Sequence, residues 1–137
     1  MFQKTMRLID KIAWIEIRDG KILSTLSKGK SKYYIPGGKR EIGESDEQTL
    51  VREIKEELSV DIASHSMQHI GTFEAQSDGH DEGVTVRMTC YEADYTGSLK
   101  PDNEIQEIRW LTTADMGIIS AVDQIIFAHL YKLGDLN

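Results

Sequence analysis

The 137-residue chain has little of the residues that crosslink or interrupt a fold: one cysteine, Cys90, and two prolines. A single cysteine excludes an intrachain disulfide framework and favours a reducing compartment, which predicts a cytoplasmic location. The first eleven residues contain no apolar segment of signal-peptide length, which agrees with that location. No segment approaches the roughly 20 apolar residues of a membrane-spanning helix, so we expect no membrane partner.

Basic residues are also scarce, with 16 Lys and Arg against 23 Asp and Glu and a net charge of −7. Domains that bind nucleic acid are normally basic, so this balance argues against nucleic acid as a partner. A small phosphorylated substrate remains compatible, because a bound metal ion inverts the local field. The length fits one domain, residues 1–137, with a real core, and the composition of 39% hydrophobic and 28% charged residues is ordinary for a globular protein.

A helix start is readable at residue 45. Ser45 and Gln48 have the spacing of a capping box, and Asp46 and Glu47 suit the positive end of a helix dipole. The apolar side of this helix, which we expect to pack on a sheet, is Leu50, Val51, Ile54 and Leu58.

An acidic face lies beside that apolar side. Glu53, Glu56 and Glu57 fall within roughly 100° of arc on a helix. Like charges at this spacing repel one another, at a cost of about 0.2–0.5 kcal/mol for each pair. The cluster becomes favourable where a hard divalent cation lies over it, because Mg²⁺ and Mn²⁺ prefer carboxylate oxygen. Arg52 is four residues before Glu56 and can hold its carboxylate in place.

Alternating apolar residues and turn signals predict strands on both sides of this helix. The predicted strands are residues 6–17, 21–26, 69–75 and 84–95, and a closing helix covers 120–133. The apolar stripe predicted for that closing helix is Val122, Ile125, Ile126, His129, Leu130 and Leu133. Because helices and strands alternate, we expect a single-domain α/β fold with a mixed sheet.

Residues 38–60 resemble the Nudix box: Gly, five residues, Glu, seven residues, then Arg-Glu-apolar-any-Glu-Glu-any-Gly-apolar. The corresponding residues here are Gly38, Glu44, Arg52, Glu53, Ile54, Glu56, Glu57, Ser59 and Val60. The one departure is Ser59, where the family has a glycine that usually ends the helix in a left-handed conformation. A non-glycine residue pays about 1 kcal/mol there, so we expect Ser59 to affect stability more than chemistry.

The resemblance implies the Nudix fold, a mixed β-sheet sandwiched between α-helices. It also implies a hydrolase in which water attacks one phosphorus of a nucleoside diphosphate linked to another group. By resemblance, the ligands of the Mg²⁺ or Mn²⁺ cofactor are Glu53, Glu56, Glu57 and the carbonyl of Gly38, and Arg52 orients a carboxylate. Many members are dimers, so a homodimer joins the candidate partners.

The resemblance leaves the general base open among Glu53, Glu56 and a carboxylate from a neighbouring loop, for which we select Glu104. By the same resemblance, the turn at Gly37 and Gly38 is expected to let the backbone approach the diphosphate, which glycine allows because it has no Cβ. Residues 103–112 resemble the acidic loop and strand that follow the box in this family.

Four further groups have both a functional and a structural interpretation. Lys39 is expected either to contact phosphate or to be solvated, and Arg87 either binds substrate phosphate or forms an ion pair. Both are retained as substrate-binding candidates. The basic loop 27–32 is either solvated or a patch that attracts phosphates. The acidic loop 76–83 is either a metal site or a solvated loop.

The substrate is the least specified feature. The chain lacks the proline after the box that marks ADP-ribose hydrolases and the tyrosine that marks dinucleoside polyphosphate hydrolases. Its short length resembles MutT-like members, which act on nucleoside triphosphates. The alternative is a non-catalytic Nudix domain that senses a nucleotide, although domains of that kind usually lose box glutamates that this chain keeps. Isoprenoid diphosphate isomerase chemistry needs a catalytic cysteine in its own motif, which Cys90 lacks.

Overall fold

The computed structural model describes residues 7–77 and 83–137. The strands in chain order are β1 (Arg7–Trp14), β2 (Ile17–Arg18), β3 (Lys21–Ser27), β4 (Tyr33–Tyr34), β5 (Gly37–Lys39), β6 (Asp61–Ile62), β7 (Gln68–Gln76), β8 (Val84–Glu92), β9 (Tyr95–Thr96) and β10 (Ile105–Leu111). The α-helices are α1 (Asp46–Leu58) and α2 (Ala121–Lys132), and 3₁₀ turns cover Ser64–Ser66 and Thr113–Ile118. Residue 6 and most of the acidic loop, residues 78–82, lie outside the described residues.

The central sheet is mixed, as predicted. Its strand order is β5-β1-β8-β7, with β1 parallel to β8 and antiparallel to β5, and β7 antiparallel to β8. A parallel pair needs a long crossover between its strands, and the segment between β1 and β8 contains α1. The box helix is therefore part of the crossover that the sheet requires.

A second, antiparallel sheet has the order β10-β3-β2, and β4 pairs with β3. Two predicted strands are shorter than expected. The strand predicted over 84–95 ends at Glu92, because Tyr95 turns away to pair with Ile62 of β6. The strand predicted over 6–17 ends at Trp14, and Ile17 begins β2, which pairs with β3 instead.

Two buried clusters lie on opposite faces of the central sheet, so the sheet is sandwiched between the helices. One cluster joins Ile12 and Trp14 of β1 to Leu50, Ile54 and Leu58 of α1. The other joins alternate positions of β1 and β8 to α2, and includes Ile9, Ala13, Val86, Met88, Val122, Ile126, Phe127 and Leu130.

The ends of α1 agree with the sequence prediction. The Ser45 hydroxyl accepts from the Gln48 backbone N–H at 3.1 Å, and the Gln48 side chain accepts from the Ser45 N–H at 2.9 Å. Ser59 ends the helix with φ 63°, ψ 22°, which is the left-handed conformation that the family glycine normally adopts.

The face that α2 buries differs from the predicted stripe. Ile125 and Leu133 are exposed, whereas Phe127 is completely buried. Val122, Ile126 and Leu130 lie on the side of α2 that packs on the sheet. Ile125 and Leu133 lie on the neighbouring side, which faces solvent. His129 packs its ring 5.2 Å from that of Phe73 and is partly buried. Among residues 7–77 and 83–137, no helix combines the length and apolarity needed to cross a bilayer.

Candidate active site

The site begins at the Gly37–Gly38 turn, where β5 pairs with β1. Gly37 has φ +149°, and a Cβ there would lie 2.8 Å from the Cα of Ala13 and closer still to the Ile12 carbonyl. A Cβ on Gly38 would lie 2.5 Å from one carboxylate oxygen of Glu53 and 2.6 Å from the other. The two glycines therefore let α1 bring an acidic side chain directly against the edge of the sheet.

Arg52 fixes this acidic side chain from behind. Its Nε and Nη2 donate to the two carboxylate oxygens of Glu44, each at 2.8 Å, and its Nη1 donates to Glu53 at 2.8 Å. Nη2 also donates to the carbonyl of Lys39 at 3.0 Å. The bond from Arg52, with help from the Glu41 backbone N–H, lowers the pKa of Glu44 to about 2. One guanidinium thus ties the loop before α1, the end of β5 and Glu53 together.

Glu57, one turn further along α1, is the most deeply buried of the three box glutamates, with 7% exposure. It accepts a bond from the Gly37 backbone N–H at 2.9 Å. The pKa of Glu57 is raised to about 8, mainly by burial; the bond from Gly37 opposes this rise, and the charges of Glu53 and Glu104 contribute to it. Burial also raises the pKa of Glu53, and Arg52 opposes that shift.

Gly37, Gly38, Glu53 and Glu57 line a cavity of about 440 Å³. One part of its wall is apolar and comes from the buried cluster that β1 and β8 form with α2: Ile9, Ile35, Val86, Met88 and Val122. The other part is charged and contains three lysines and three glutamates: Lys11, Lys30, Lys39, Glu53, Glu57 and Glu104. A pocket with an apolar wall and a few convergent polar groups is the arrangement that small-molecule sites share.

The structure brings most of the residues proposed from the sequence into this cavity: Gly37, Gly38, Lys39, Glu53, Glu57 and Glu104. Glu56 does not line it. Its side chain is 51% exposed and lies 3.6 Å from Arg52 on the solvent side of α1. Of the three glutamates predicted to share one face of α1, Glu53 and Glu57 therefore line the cavity and Glu56 lies at the surface.

The prediction that Arg87 binds substrate is corrected, because Arg87 does not line the cavity. It is paired in register with Glu74 of β7, and its Nε donates to that carboxylate at 2.6 Å. Alternation along β8 turns Val86 and Met88 into the cavity, so the side chain between them points to the other face. Of the two interpretations of Arg87, the structure shows the ion pair.

Sequence reasoning missed Lys11 and Tyr34. Lys11 stands in β1 among apolar residues, and its ammonium lies 5.7 Å from the centroid of the Tyr34 ring. Burial is the main cause that lowers the pKa of Lys11, opposed by the charges of Asp123, Glu57 and Glu53. The local signal was a lysine that lies between Ile9 and Ala13 on one face of β1.

The cavity residues fit a hard divalent cation by their chemistry. In the part of the chain that the structure describes, no group of three or more acidic, imidazole or thiol side chains is already placed to hold a metal ion. Glu57 nevertheless shows what a cation would supply, because its burial disfavours the ionised carboxylate and a neighbouring positive charge would restore it. Glu53 and Glu57 with the backbone of Gly38 offer the oxygen ligands that Mg²⁺ prefers.

The fold and this cavity define the class of protein. The NUDIX domain family model matches residues 10–130, and the chain therefore belongs to the Nudix family, whose hydrolases act on pyrophosphate bonds of small nucleotide derivatives and generally use divalent metals. The family predicted from residues 38–60, its fold and the enzyme class of Nudix-type hydrolase are confirmed.

Two individual proteins are similar to this chain in sequence over most of its length. The chain is 31% identical over 110 residues to the CTP pyrophosphohydrolase of Escherichia coli K12, covering 77% of this chain and 76% of that protein. It is 26% identical over 98 residues to the uncharacterized Nudix hydrolase YvcI of Bacillus subtilis 168, covering 72% of this chain and 62% of the relative's length.

Solved structures share the fold. The solution structure of the E. coli ORF135 protein is 25% identical, with a TM-score of 0.72 over 93% of this chain and 91% of that one. The MutT protein from Methanosarcina mazei Go1 has a TM-score of 0.76 over 96% of this chain and 99% of that one. At 17% identity it is similar in fold alone.

Proposed function

We propose that this chain is a metal-dependent hydrolase that cleaves a diphosphate linkage in a nucleoside diphosphate joined to another group, with nucleoside triphosphates as its leading substrates. The observation that carries the proposal is that Glu53 and Glu57 lie together in the wall of one cavity, beside a glycine pair that admits close approach. The similarity to a CTP pyrophosphohydrolase supports a nucleotide substrate.

Glu53, Glu57 and the carbonyl of Gly38 would hold Mg²⁺, or Mn²⁺ in its place. Glu56 stays in the proposed ligand set because it is one helical turn from Glu53, and its half-exposed side chain is able to reorient. When bound, the ion would neutralise phosphate oxygens and make a coordinated water more acidic.

Two contacts would hold the carboxylates in place during the reaction. The Arg52 guanidinium restrains Glu53 at 2.8 Å, and the Gly37 N–H restrains Glu57 at 2.9 Å. Such restraint matters because misplacement of a reacting group by about 1 Å costs on the order of 10²-fold in rate.

Glu104 is our choice of general base. Its carboxylate lines the cavity, and its backbone carbonyl accepts from the Lys28 N–H at 2.8 Å, which fixes the loop before β10. Glu104 would take a proton from water, the water oxygen would form a bond to phosphorus, and the bridging P–O bond would break towards the leaving phosphate. Glu53 is a weaker choice because it already accepts from Arg52.

The two parts of the cavity wall suggest how a nucleotide would lie. The apolar residues of β1, β8 and α2 would receive the nucleoside, and the charged residues of β5 and α1 would receive the diphosphate. A reducing, cytoplasmic setting belongs to the same proposal, because the single cysteine, Cys90, is buried and the sequence has no second cysteine with which it could pair. A homodimer stays a prediction.

The test is a substrate panel of nucleoside triphosphates, ADP-ribose, dinucleoside polyphosphates and sugar nucleotides, each with Mg²⁺, read as phosphate or pyrophosphate release. We expect turnover of at least one nucleoside triphosphate. Glu104→Gln should lower kcat by about 10²-fold or more. Glu92→Gln, an exposed strand-end change, is the matched control and should leave kcat unchanged. Tight nucleotide binding with no turnover of any compound would instead support the sensing alternative.

A further inference from the structure

Lys11 and Lys39 are directly opposite each other in the antiparallel pairing of β1 with β5. Side chains that are directly opposite point to the same face, with Cβ atoms about 4.5–5.5 Å apart. Both lysines line the candidate active cavity. Like charges in this position are destabilising by themselves, and Lys39 contributes to the lowered pKa of Lys11.

The surroundings of Lys11 make that placement more costly. Its side chain is partly buried beside the apolar residues Ile9, Val86 and Met88, which withdraw it from water. The face of the Tyr34 ring at 5.7 Å gives the ammonium partial support. The carboxylates of Asp123, Glu57 and Glu53 also attract it.

The cavity as a whole does not share the acidic character of the chain. The net charge of the chain is −7, whereas the charged residues lining the cavity are three lysines and three glutamates. A divalent cation on Glu53 and Glu57 would leave the cavity with a positive formal charge. Such a site favours an anion with more than one negative charge.

We infer that Lys11 and Lys39 form a two-lysine seat for one phosphoryl group of the substrate, on the side of the cavity opposite the α1 carboxylates. A phosphoryl group suits the pair because it presents several acceptor oxygens and up to two negative charges to two ammonium groups. The inference rests on the proposed function, since it names the part of the same cavity that takes the diphosphate. Lys11, which no motif identifies, is a substrate-binding residue.

A purely structural role for Lys11 predicts something different. If its ammonium only balances Asp123 and Glu57, its loss should lower the melting temperature and leave the affinity for phosphate compounds unchanged. If it belongs to the phosphoryl seat, the affinity itself falls. Lys11→Met separates these roles because it keeps the length and apolar character of the side chain and removes the charge.

The experiment measures binding of inorganic pyrophosphate by titration calorimetry, once with Mg²⁺ and once in EDTA, alongside the melting temperature of each variant. Lys11→Met should raise the dissociation constant about tenfold or more in every condition where the unchanged chain binds. Lys39→Met should do the same, and it preserves the test if Lys11→Met fails to fold. Lys132→Met, at an exposed position at the end of α2 that does not line the cavity, is the control and should change the constant by less than about twofold.

An unchanged constant in Lys11→Met, or no pyrophosphate binding by the unchanged chain in either condition, would overturn the inference. The readout needs no turnover, so it is separate from the proposed function. A chain that binds pyrophosphate through Lys11 but hydrolyses no nucleotide refutes only the hydrolase. A chain that hydrolyses nucleotides with Lys11→Met indistinguishable in both KM and pyrophosphate binding refutes only the phosphoryl seat.

Discussion

Replacing Glu57 by glutamine should make the metal-free protein more stable while it removes activity. Glu57 is 7% exposed and accepts one bond from the Gly37 N–H. Glutamine has nearly the same shape and keeps an oxygen for that bond. It removes the negative charge whose burial raises the pKa of Glu57 from 4.5 to about 8.

The magnitude follows from that pKa. The folded-state pKa of this acid is raised, so its contribution to stability is fully present below pH 4.5 and is lost as the pH rises through 8. With a pKa of about 8 the buried carboxyl is mostly protonated at pH 7, and taking up that proton costs about 1.4 kcal/mol for each pKa unit between 4.5 and pH 7, or about 3 kcal/mol. The new amide N–H₂ needs its own partner, which offsets about 1 kcal/mol. We therefore expect a net gain of about 2 kcal/mol at pH 7.

The assay is thermal unfolding in EDTA between pH 4.5 and 8.5. A gain of about 2 kcal/mol corresponds to about 8 °C for a domain of this size. The difference between the variant and the unchanged protein should grow with pH across this window. Glu56→Gln, at the half-exposed position one residue earlier, is the control and should shift the melting temperature little. Mg²⁺ should stabilise the unchanged protein and not Glu57→Gln. A variant that melts lower at pH 7, or a difference that does not depend on pH, would refute this reasoning.

Two further predictions concern the backbone around the site. Ser59→Gly should raise the free energy of unfolding by about 1 kcal/mol because residue 59 has φ 63°; thermal unfolding checks this, and a lower melting temperature contradicts it. Gly38→Ala should keep the fold but lower kcat by about tenfold or more, since its Cβ meets the end of the Glu53 side chain and would push that carboxylate out of the position in which Arg52 restrains it. Gly37→Ala, whose Cβ meets the backbone of β1, should instead melt much lower; equal stability in the two alanine variants would show that the clashes are misread.

Local features of the site could be predicted because neighbouring residues encode them. The capping box at Ser45 depends on residues within a few positions of each other, whereas the left-handed end at Ser59 is indicated by the glycine that the family pattern has there. The apolar row of α1 and the alternation of Val86 and Met88 in β8 likewise follow from helix and strand periodicity.

Features that depend on strand register could not be predicted in the same way. Lys11 meets Lys39 only because β5 pairs with β1 in one register, and no local pattern specifies that pairing. The same limit explains Arg87, whose partner Glu74 is set by the register of β7 with β8. The split between buried Glu57 and exposed Glu56 depends on where α1 lies against the Gly37–Gly38 turn, which helical spacing alone does not specify.

The account depends on Glu53 and Glu57 holding a divalent cation against a diphosphate. The most direct measurement is pyrophosphate release from CTP by the purified chain, with Mg²⁺ and with excess EDTA, compared with Glu57→Gln. We expect release that requires Mg²⁺ and falls by orders of magnitude in Glu57→Gln. Full release in EDTA, or near-normal kcat in Glu57→Gln, would contradict the account.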